Sequence, residues 1–214
     1  MIKTIPAKLL VAVLMTASFP ASAVFAEPAS TLRAAADTPA DPLTAQDHDV
    51  LIVAEQLAAE SSQAIERWLT TQLVTEDQLF ARFYYPIAKT RPQKYSTAYD
   101  KLADRDLVAY EDKALAHSIS FQYAVVTDAN GYVPAHNTRF SQPQKGNMTQ
   151  DYADSRSKRL LGDHATVPAA RSEARYLLQR TITDGGYRAY DLSVPITVHG
   201  KHWGCARIGY RRAD

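Results

Sequence analysis

The spacing of apolar residues predicts a long helix near the start of the folded region. Thr44 followed by Asp47 has the spacing of a helix capping box. An apolar stripe then recurs at helical spacing up to about residue 73, formed by Val50, Ala54, Leu57, Ala64 and Trp68. A helix over 44–73 would be ~45 Å long, more than the width of a small domain. The stripe is therefore expected either to cover a sheet or to form a homodimer contact, and the pattern leaves both open.

Five segments downstream have the alternation or the β-branched and aromatic content of strands. These predicted strands are residues 121–127, 132–137, 174–183, 187–198 and 203–210. Turn signals at 128–131, 184–186 and 199–201 favour antiparallel hairpins. Shorter helical patterns occur at 76–83 and 102–117, and at 149–161 within a long connector over 138–172. The pattern predicts an α+β fold with a five-stranded antiparallel sheet and leaves the strand order open.

The N-terminus has the features of a secretory signal peptide. Lys3 and Lys8 precede an apolar run over 9–17, and small residues follow up to Ala23 and Ala26, either of which fits a cleavage site. The run is shorter than the ~20 residues that span a bilayer, which disfavours the alternative of an uncleaved anchor. Residues 27–42 are rich in Ala, Pro, Ser and Thr and are predicted to form a flexible linker. We expect a periplasmic or secreted protein.

Charge and cysteine content exclude several classes of protein. The formal net charge of +1 becomes −1 when Lys3 and Lys8 leave with the signal peptide, so the overall charge indicates neither nucleic acid nor an anionic membrane as partner. Cys205 is the only cysteine, which excludes an internal disulfide. The chain has no Cys-x-x-Cys-His motif, which excludes a c-type haem.

Polar residues at the start of the connector are candidates for ligand binding. The second predicted strand is followed by His136, Asn137 and Arg139, which begin the connector. A connector that crosses a sheet face creates a concave space, and these side chains are placed to line it. The connector and the next strand carry more basic than acidic residues: Arg139, Lys145, Arg156, Lys158, Arg159, Arg171 and Arg175 against Asp151, Asp154, Asp163 and Glu173. Arg156 and Arg159, three apart on a predicted helix, are the pair chosen to bind an anionic group. The alternative is that His136 and Asn137 satisfy backbone groups and the arginines form a solvated face.

The sheet offers further candidates. Tyr123 and Trp203 could form aromatic walls, with Tyr176 and Tyr210 as further aromatic residues, although such residues commonly belong to a core. Asp191 shares a strand face with Ser193 and could bind an amine, pair with an arginine or cap the strand end.

Catalytic patterns are weak. Cys205 and His202 are three apart and should point to opposite faces of a regular strand. The chain has no Gly-x-Ser-x-Gly, His-Glu-x-x-His or phosphate-loop motif. A non-catalytic protein without a cofactor or metal is predicted. The alternatives are a small secreted hydrolase or transferase that uses Cys205 or a histidine, and a b-type haem or metal sensor that uses His136 or His164.

Four blocks of sequence resemble the extracytoplasmic PAS-like (Cache-type) sensory domain of bacterial methyl-accepting chemotaxis receptors. They are DANGYVPAHNTRFSQPQKG (128–146), SRSKRL (155–160), YLLQ (176–179) and DLSVPITVHGKHWGCARIGY (191–210), with a weaker likeness at LFARFYYPI (79–87). The resemblance implies a PAS-like sensor domain over 76–214 behind a long helix over 43–75, here without the transmembrane and cytoplasmic signalling parts.

The resemblance also implies a function in signal transduction or chemotaxis. The expected partners are a small-molecule ligand, preferably anionic, and a membrane receptor or kinase, with no nucleic acid. The expected ligand-binding residues are His136, Asn137, Arg139, Arg156, Arg159, Tyr123, Asp191 and Trp203.

Overall fold

The computed structural model describes residues 43–182 and 188–212. Helices in this part of the chain are α1 (Ala45–Thr70), α2 (Glu76–Phe80), α3 (Asp100–Leu115), α4 (Met148–Asp154) and α5 (Thr166–Arg171). Strands are β1 (Tyr85–Pro86), β2 (Tyr95–Ser96), β3 (Phe121–Asp128), β4 (Tyr132–Val133), β5 (Arg159–Leu160), β6 (Leu177–Ile182), β7 (Arg188–Val198) and β8 (Lys201–Tyr210). The predicted signal peptide, the linker over 27–42 and the turn over 184–186 lie outside the described residues. Within the described ranges, no helix has the length and apolar character needed to span a membrane.

Helix α1 begins with the predicted capping box. Thr44 Oγ1 accepts a hydrogen bond from the Asp47 amide at 3.2 Å, and Asp47 Oδ2 accepts one from the Thr44 amide at 2.7 Å. The helix ends at Thr70, slightly earlier than predicted. Its apolar stripe, from Val50 to Trp68, is at most 2% exposed because it packs against β7, β8 and α3.

The stripe on α1 therefore belongs to the core of this chain. Trp68 also donates a hydrogen bond from Nε1 to Asp106 Oδ2 at 2.6 Å, which fixes α1 against α3. The residues predicted to mediate a homodimer are thus unavailable to a second copy. The pattern left two interpretations open, and the structure agrees with the one in which the stripe covers a sheet.

The main sheet is antiparallel and has the strand order β3-β8-β7-β6. The prediction of a fifth strand over 132–137 in this sheet is wrong. Only Tyr132–Val133 is a strand, and this strand, β4, pairs with β5 in a separate two-stranded sheet. The fold is α+β with antiparallel sheets, as predicted.

Side chains close the outer edge of β3, which explains why β4 does not pair there. The Val126 amide donates to Glu111 Oε1 at 2.9 Å, and Asn137 Nδ2 donates to the Ala124 carbonyl at 3.0 Å. Ala124 and Val126 point their backbone groups to the same edge because they are two residues apart. A neighbouring strand would have to displace both side chains.

The two faces of the main sheet have different partners. One face packs on α1 and α3 and forms the main hydrophobic core, which includes Leu192 and Ile208. The opposite face, here called the distal face, is covered by α5 and the connector between β4 and β6. Tyr123, Asp191 and Arg207 lie on the distal face.

Candidate functional site

A buried ion pair lies at the centre of the distal face. Arg207 on β8 and Asp191 on β7 have side chains that are 4% and 0% exposed. Arg207 Nη2 donates to Asp191 Oδ2 at 2.7 Å, and Nε donates to the same oxygen at 3.1 Å. The pair is fully desolvated, a state in which ion pairs contribute little net stability compared with apolar residues.

Tyr123 completes this cluster from the neighbouring strand. Its hydroxyl group donates a hydrogen bond to Asp191 Oδ2. The ring lies across Gly209, where a Cβ atom would be 2.2 Å from Tyr123 Cε1. Burial, together with the charge of Asp191, raises the pKa of Tyr123 well above its usual value, so the hydroxyl group stays protonated and donates.

Helix α5 covers the cluster through Thr166. Arg207 Nη1 donates to Thr166 Oγ1 at 2.5 Å, and Thr166 is held by Asp163, whose carboxylate accepts from the Thr166 amide at 2.9 Å. A guanidinium group has five N–H donors. Three nitrogen atoms of Arg207 use one donor each, so one N–H on Nη1 and one on Nη2 have no hydrogen-bond partner among the described residues.

His136 and Asn137 are buried, which agrees with both interpretations of their role. His136 is 3% exposed, packs edge-on against Phe140, and its Nδ1 has no hydrogen-bond partner among the described residues. Burial, and then the positive charge of Arg156, lowers the pKa of His136 to about 3. The side chain is therefore neutral at ordinary pH. Asn137 bonds the backbone of β3, which is the role that the alternative interpretation gave it.

The connector arginines occupy different environments from those predicted. Helix α4 ends at Asp154, so Arg156 and Arg159 are not on one helix face. Arg156 lies over the Phe140 ring at 4.7 Å, and Arg159 lies over the Tyr152 ring at 4.4 Å. Arg139 is exposed, and its guanidinium group also lies over the Phe140 ring, with Cζ 5.1 Å from the ring centroid. These cations stack on aromatic rings at the rim of the connector.

Trp203 lies on the opposite side of the sheet from the cluster. It packs edge-on against Tyr99 in the main core, with 6.0 Å between the ring centroids. The register between β7 and β8 shifts between Ile196 and Thr197, which makes Trp203 an inserted residue. The structure therefore does not bring Trp203 together with Tyr123 and Asp191.

Cys205 and His202 were expected on opposite faces of the strand, but the inserted residue brings them to the same face. Thr197 pairs with His202 and Pro195 pairs with Cys205, so both side chains lie on the distal face against α5. His202 Nε2 donates to the Ala170 carbonyl at 2.7 Å, and Cys205 packs on Ala169 and Ala170. Burial raises the pKa of the Cys205 thiol to about 12, which disfavours the nucleophilic thiolate.

Metal ligation finds no support in the described ranges. They contain no group of three His, Cys, Asp or Glu side chains that could hold a metal ion. His164 is exposed, and His136 packs against the Phe140 ring.

Two cavities lie outside the Arg207 cluster. One, of about 30 Å³, lies within the connector and is lined by Gln142, Pro143, Lys145, Gln150, Asp151, Asp154 and Ser155. That volume suits about one water molecule. The other is an open groove of about 290 Å³ between α1 and the end of β7, lined by Glu55, Ala58, Ala59, Ser62 and residues 194–197. Asp191 and Arg207 line neither cavity, and their side chains are almost fully buried.

Sequence reasoning missed Arg207 and Thr166. The available signal was a single arginine in an otherwise apolar strand, HWGCARIGY, two residues from Gly209. An arginine in such a strand requires a buried partner, and Asp191 was already recognised as able to pair with one. Thr166 gave no signal because its contact depends on where α5 packs.

Comparisons with known proteins give only distant structural likenesses. No known protein family and no curated protein matches the chain. Among solved structures, the chain is similar to an extracellular ligand binding receptor from Desulfohalobium retbaense DSM5692, with 13% sequence identity and a TM-score of 0.35. The match covers 79% of this chain and 26% of that receptor, so the chain corresponds to about a quarter of the receptor's length. A likeness of this strength carries no argument about fold or function.

Proposed function

We propose that this protein is an exported, non-catalytic sensor module of the PAS-like, Cache type, which binds a small anionic molecule between the distal face and the connector. The observation that carries the proposal is the buried Asp191–Arg207 pair with its unused guanidinium donors. A buried ion pair is a poor source of stability, so its place beneath an irregular connector favours a binding function.

The electrostatics of the site favour an anion. Burial first, and then the charges of Arg156, Arg207 and Arg159, lower the pKa of His136, so three cationic side chains act on its ring. Nδ1 of the neutral His136 has no hydrogen-bond partner within the described part of the chain and can complete the hydrogen bonding of a ligand. Occupancy would be passed to a membrane receptor or kinase through movement of the connector.

A thermal-shift screen tests the proposal. The panel consists of carboxylates, phosphates, amino acids, amines and purines, because a ligand at one hundred times its dissociation constant adds ~2.7 kcal/mol to stability. Parent protein is compared with Arg207→Lys, which keeps the charge but loses the forked geometry, and with Arg139→Ala at the exposed rim. The expected result is an anionic compound that raises Tm in the parent and in Arg139→Ala but not in Arg207→Lys.

Other outcomes separate the alternatives. Equal shifts in the parent and in Arg207→Lys would place the site elsewhere, and no shift with any compound would contradict small-molecule binding by this panel. The bound compound should be recovered chemically unchanged. Turnover that disappears in Cys205→Ala would establish the hydrolase or transferase instead, and a Soret band on the purified protein would establish haem.

A further inference from the structure

A hairpin over residues 81–96, here called the basic aromatic hairpin, lies at the surface of the protein. Its arms contain β1 and β2, and its turn is closed by the Ile87 amide, which donates to the Lys94 carbonyl at 2.8 Å. The Thr90 side chain accepts from the Lys94 amide at 2.9 Å, and Gln93 Nε2 donates to the Ile87 carbonyl at 3.0 Å. The turn therefore has a defined shape.

In the first arm, one tyrosine contacts the body of the protein, and the apolar residues on either side of it are exposed. Tyr84 points to the body, where its hydroxyl group donates to Asp128 Oδ2 at 2.6 Å and its ring packs on Tyr132. Its neighbours Phe83 and Tyr85 are 73% and 68% exposed, and Ile87 is also exposed. Residues two apart in an extended segment share one side, so these three apolar side chains face solvent together.

Three exposed basic residues lie close in sequence to these apolar side chains. Arg82, Lys89 and Arg91 are exposed, and no carboxylate among the described residues forms an ion pair with them. The sequence contains no Asp or Glu between Asp77 and Asp100. The net charge of the chain is near zero, but the basic aromatic hairpin carries several basic residues and no acidic one.

The hairpin is fixed to the connector, so its exposed side is a defined surface. The Arg91 amide donates to Gln144 Oε1 at 3.0 Å, and Gln144 Nε2 donates to the Pro92 carbonyl at 2.8 Å. The Tyr95 amide donates to the Lys158 carbonyl at 2.7 Å. One side of the hairpin is therefore used by the protein, while Phe83, Tyr85 and the three cations are presented outwards.

We propose that the basic aromatic hairpin docks on a lipid bilayer that contains anionic lipids. Aromatic side chains favour the interfacial layer of a membrane, and each nearby Lys or Arg adds electrostatic attraction to anionic headgroups. The exposed aromatic side chains and cations together supply the apolar burial and the electrostatic attraction that hold a protein at an anionic membrane surface. Docking would bring the connector, to which Gln144 ties the hairpin, close to a membrane partner.

Vesicle sedimentation of the purified full-length protein tests this proposal. Vesicles of phosphatidylcholine alone are compared with vesicles in which about a third of the lipid is phosphatidylglycerol, at low and high salt. The variants are Arg82→Gln/Lys89→Gln/Arg91→Gln, Phe83→Ser/Tyr85→Ser and the matched charge control Lys101→Gln/Arg171→Gln/Arg188→Gln, whose sites are exposed elsewhere. Circular dichroism and Tm confirm that each variant folds. The N-terminal leader is common to all of them.

Anionic vesicles should bind the parent and the charge control, and high salt should weaken this binding. Each cation removed from the hairpin should reduce the partition coefficient about fivefold, since one basic residue near an anionic surface contributes ~1 kcal/mol. The Phe83→Ser/Tyr85→Ser variant should also bind more weakly. Equal partition of the parent and the hairpin charge variant would overturn the proposal. So would concentration-dependent dimerisation abolished by Phe83→Ser/Tyr85→Ser, because the surface would then be an interface between copies of this chain.

Discussion

Tyr123 reaches the carboxylate of Asp191 from two strands away, because no side chain stands between them at Gly209. Tyr123 lies on β3, Asp191 on β7 and Gly209 on β8, and both residues pair with Gly209 in the sheet. The hydrogen bond therefore depends on a glycine whose φ is not unusual, and its requirement is space rather than backbone conformation.

Replacing this glycine should displace Tyr123. In Gly209→Ala the new methyl group would overlap the ring, and overpacking of this kind costs ~1–3 kcal/mol. Urea denaturation measures the loss. Gly162→Ala is the matched control because a Cβ atom there meets nothing within 4 Å. A Gly209→Ala protein as stable as the control would show that the ring adapts without cost.

The Asp191–Arg207 pair should be strongly coupled. Removing one partner leaves a buried charge unpaired, so Asp191→Leu and Arg207→Met should each lower the free energy of unfolding by ~3–5 kcal/mol. The double variant should recover much of this loss because no buried charge remains, but it should stay below the parent because the Tyr123 hydroxyl loses its acceptor. Denaturant titration of all four proteins gives the coupling energy. Additive losses in the double variant would mean that the two side chains act independently.

Local patterns predicted those elements that depend on neighbouring residues. The capping box at Thr44, the buried face of α1 and strands β7 and β8 follow from spacing alone, since each element is defined by its own periodicity. The pairing of β4 could not be predicted, because Glu111 and Asn137 close the edge of β3 from distant positions in the chain.

The candidate site was predicted in part for the same reason. Tyr123 contacts Asp191 as their places on one face of the sheet allow, whereas His136 is buried against Phe140. Trp203 was placed on the wrong side because the inserted residue in β8 reverses the alternation there. Arg207 was missed because its partners come from β7 and α5, and only packing brings them together.

A substitution on α1 distinguishes a core stripe from a dimer contact. Leu57 is 2% exposed, so Leu57→Lys buries a charge and should lower Tm or prevent folding. Ile52→Lys on the same helix should have little effect, because Ile52 is 63% exposed. Thermal melts measure both variants. If Leu57→Lys folded stably and converted a dimer into a monomer in sedimentation, the stripe would be an interface after all.

The buried His136 should make stability depend on pH. Burial, and then the charge of Arg156, lowers its folded-state pKa to about 3, whereas histidine in an unfolded chain titrates near ~6.5. Between these values the unfolded chain binds one more proton than the folded chain, so the free energy of unfolding rises with pH. The contribution is complete above pH ~6.5 and is lost as pH falls, with a slope of up to ~1.4 kcal/mol per pH unit.

Urea denaturation at several pH values between ~4.5 and ~7 measures this slope in the parent and in His136→Asn, which cannot titrate there. The variant should show a smaller decrease in stability toward acid than the parent, even if it is less stable at neutral pH. His164→Asn is the control, because His164 is exposed and its removal should leave the slope unchanged. Parallel pH profiles for the parent and His136→Asn would mean that His136 accepts a proton in the folded protein as readily as in the unfolded chain, which would contradict its burial among arginines.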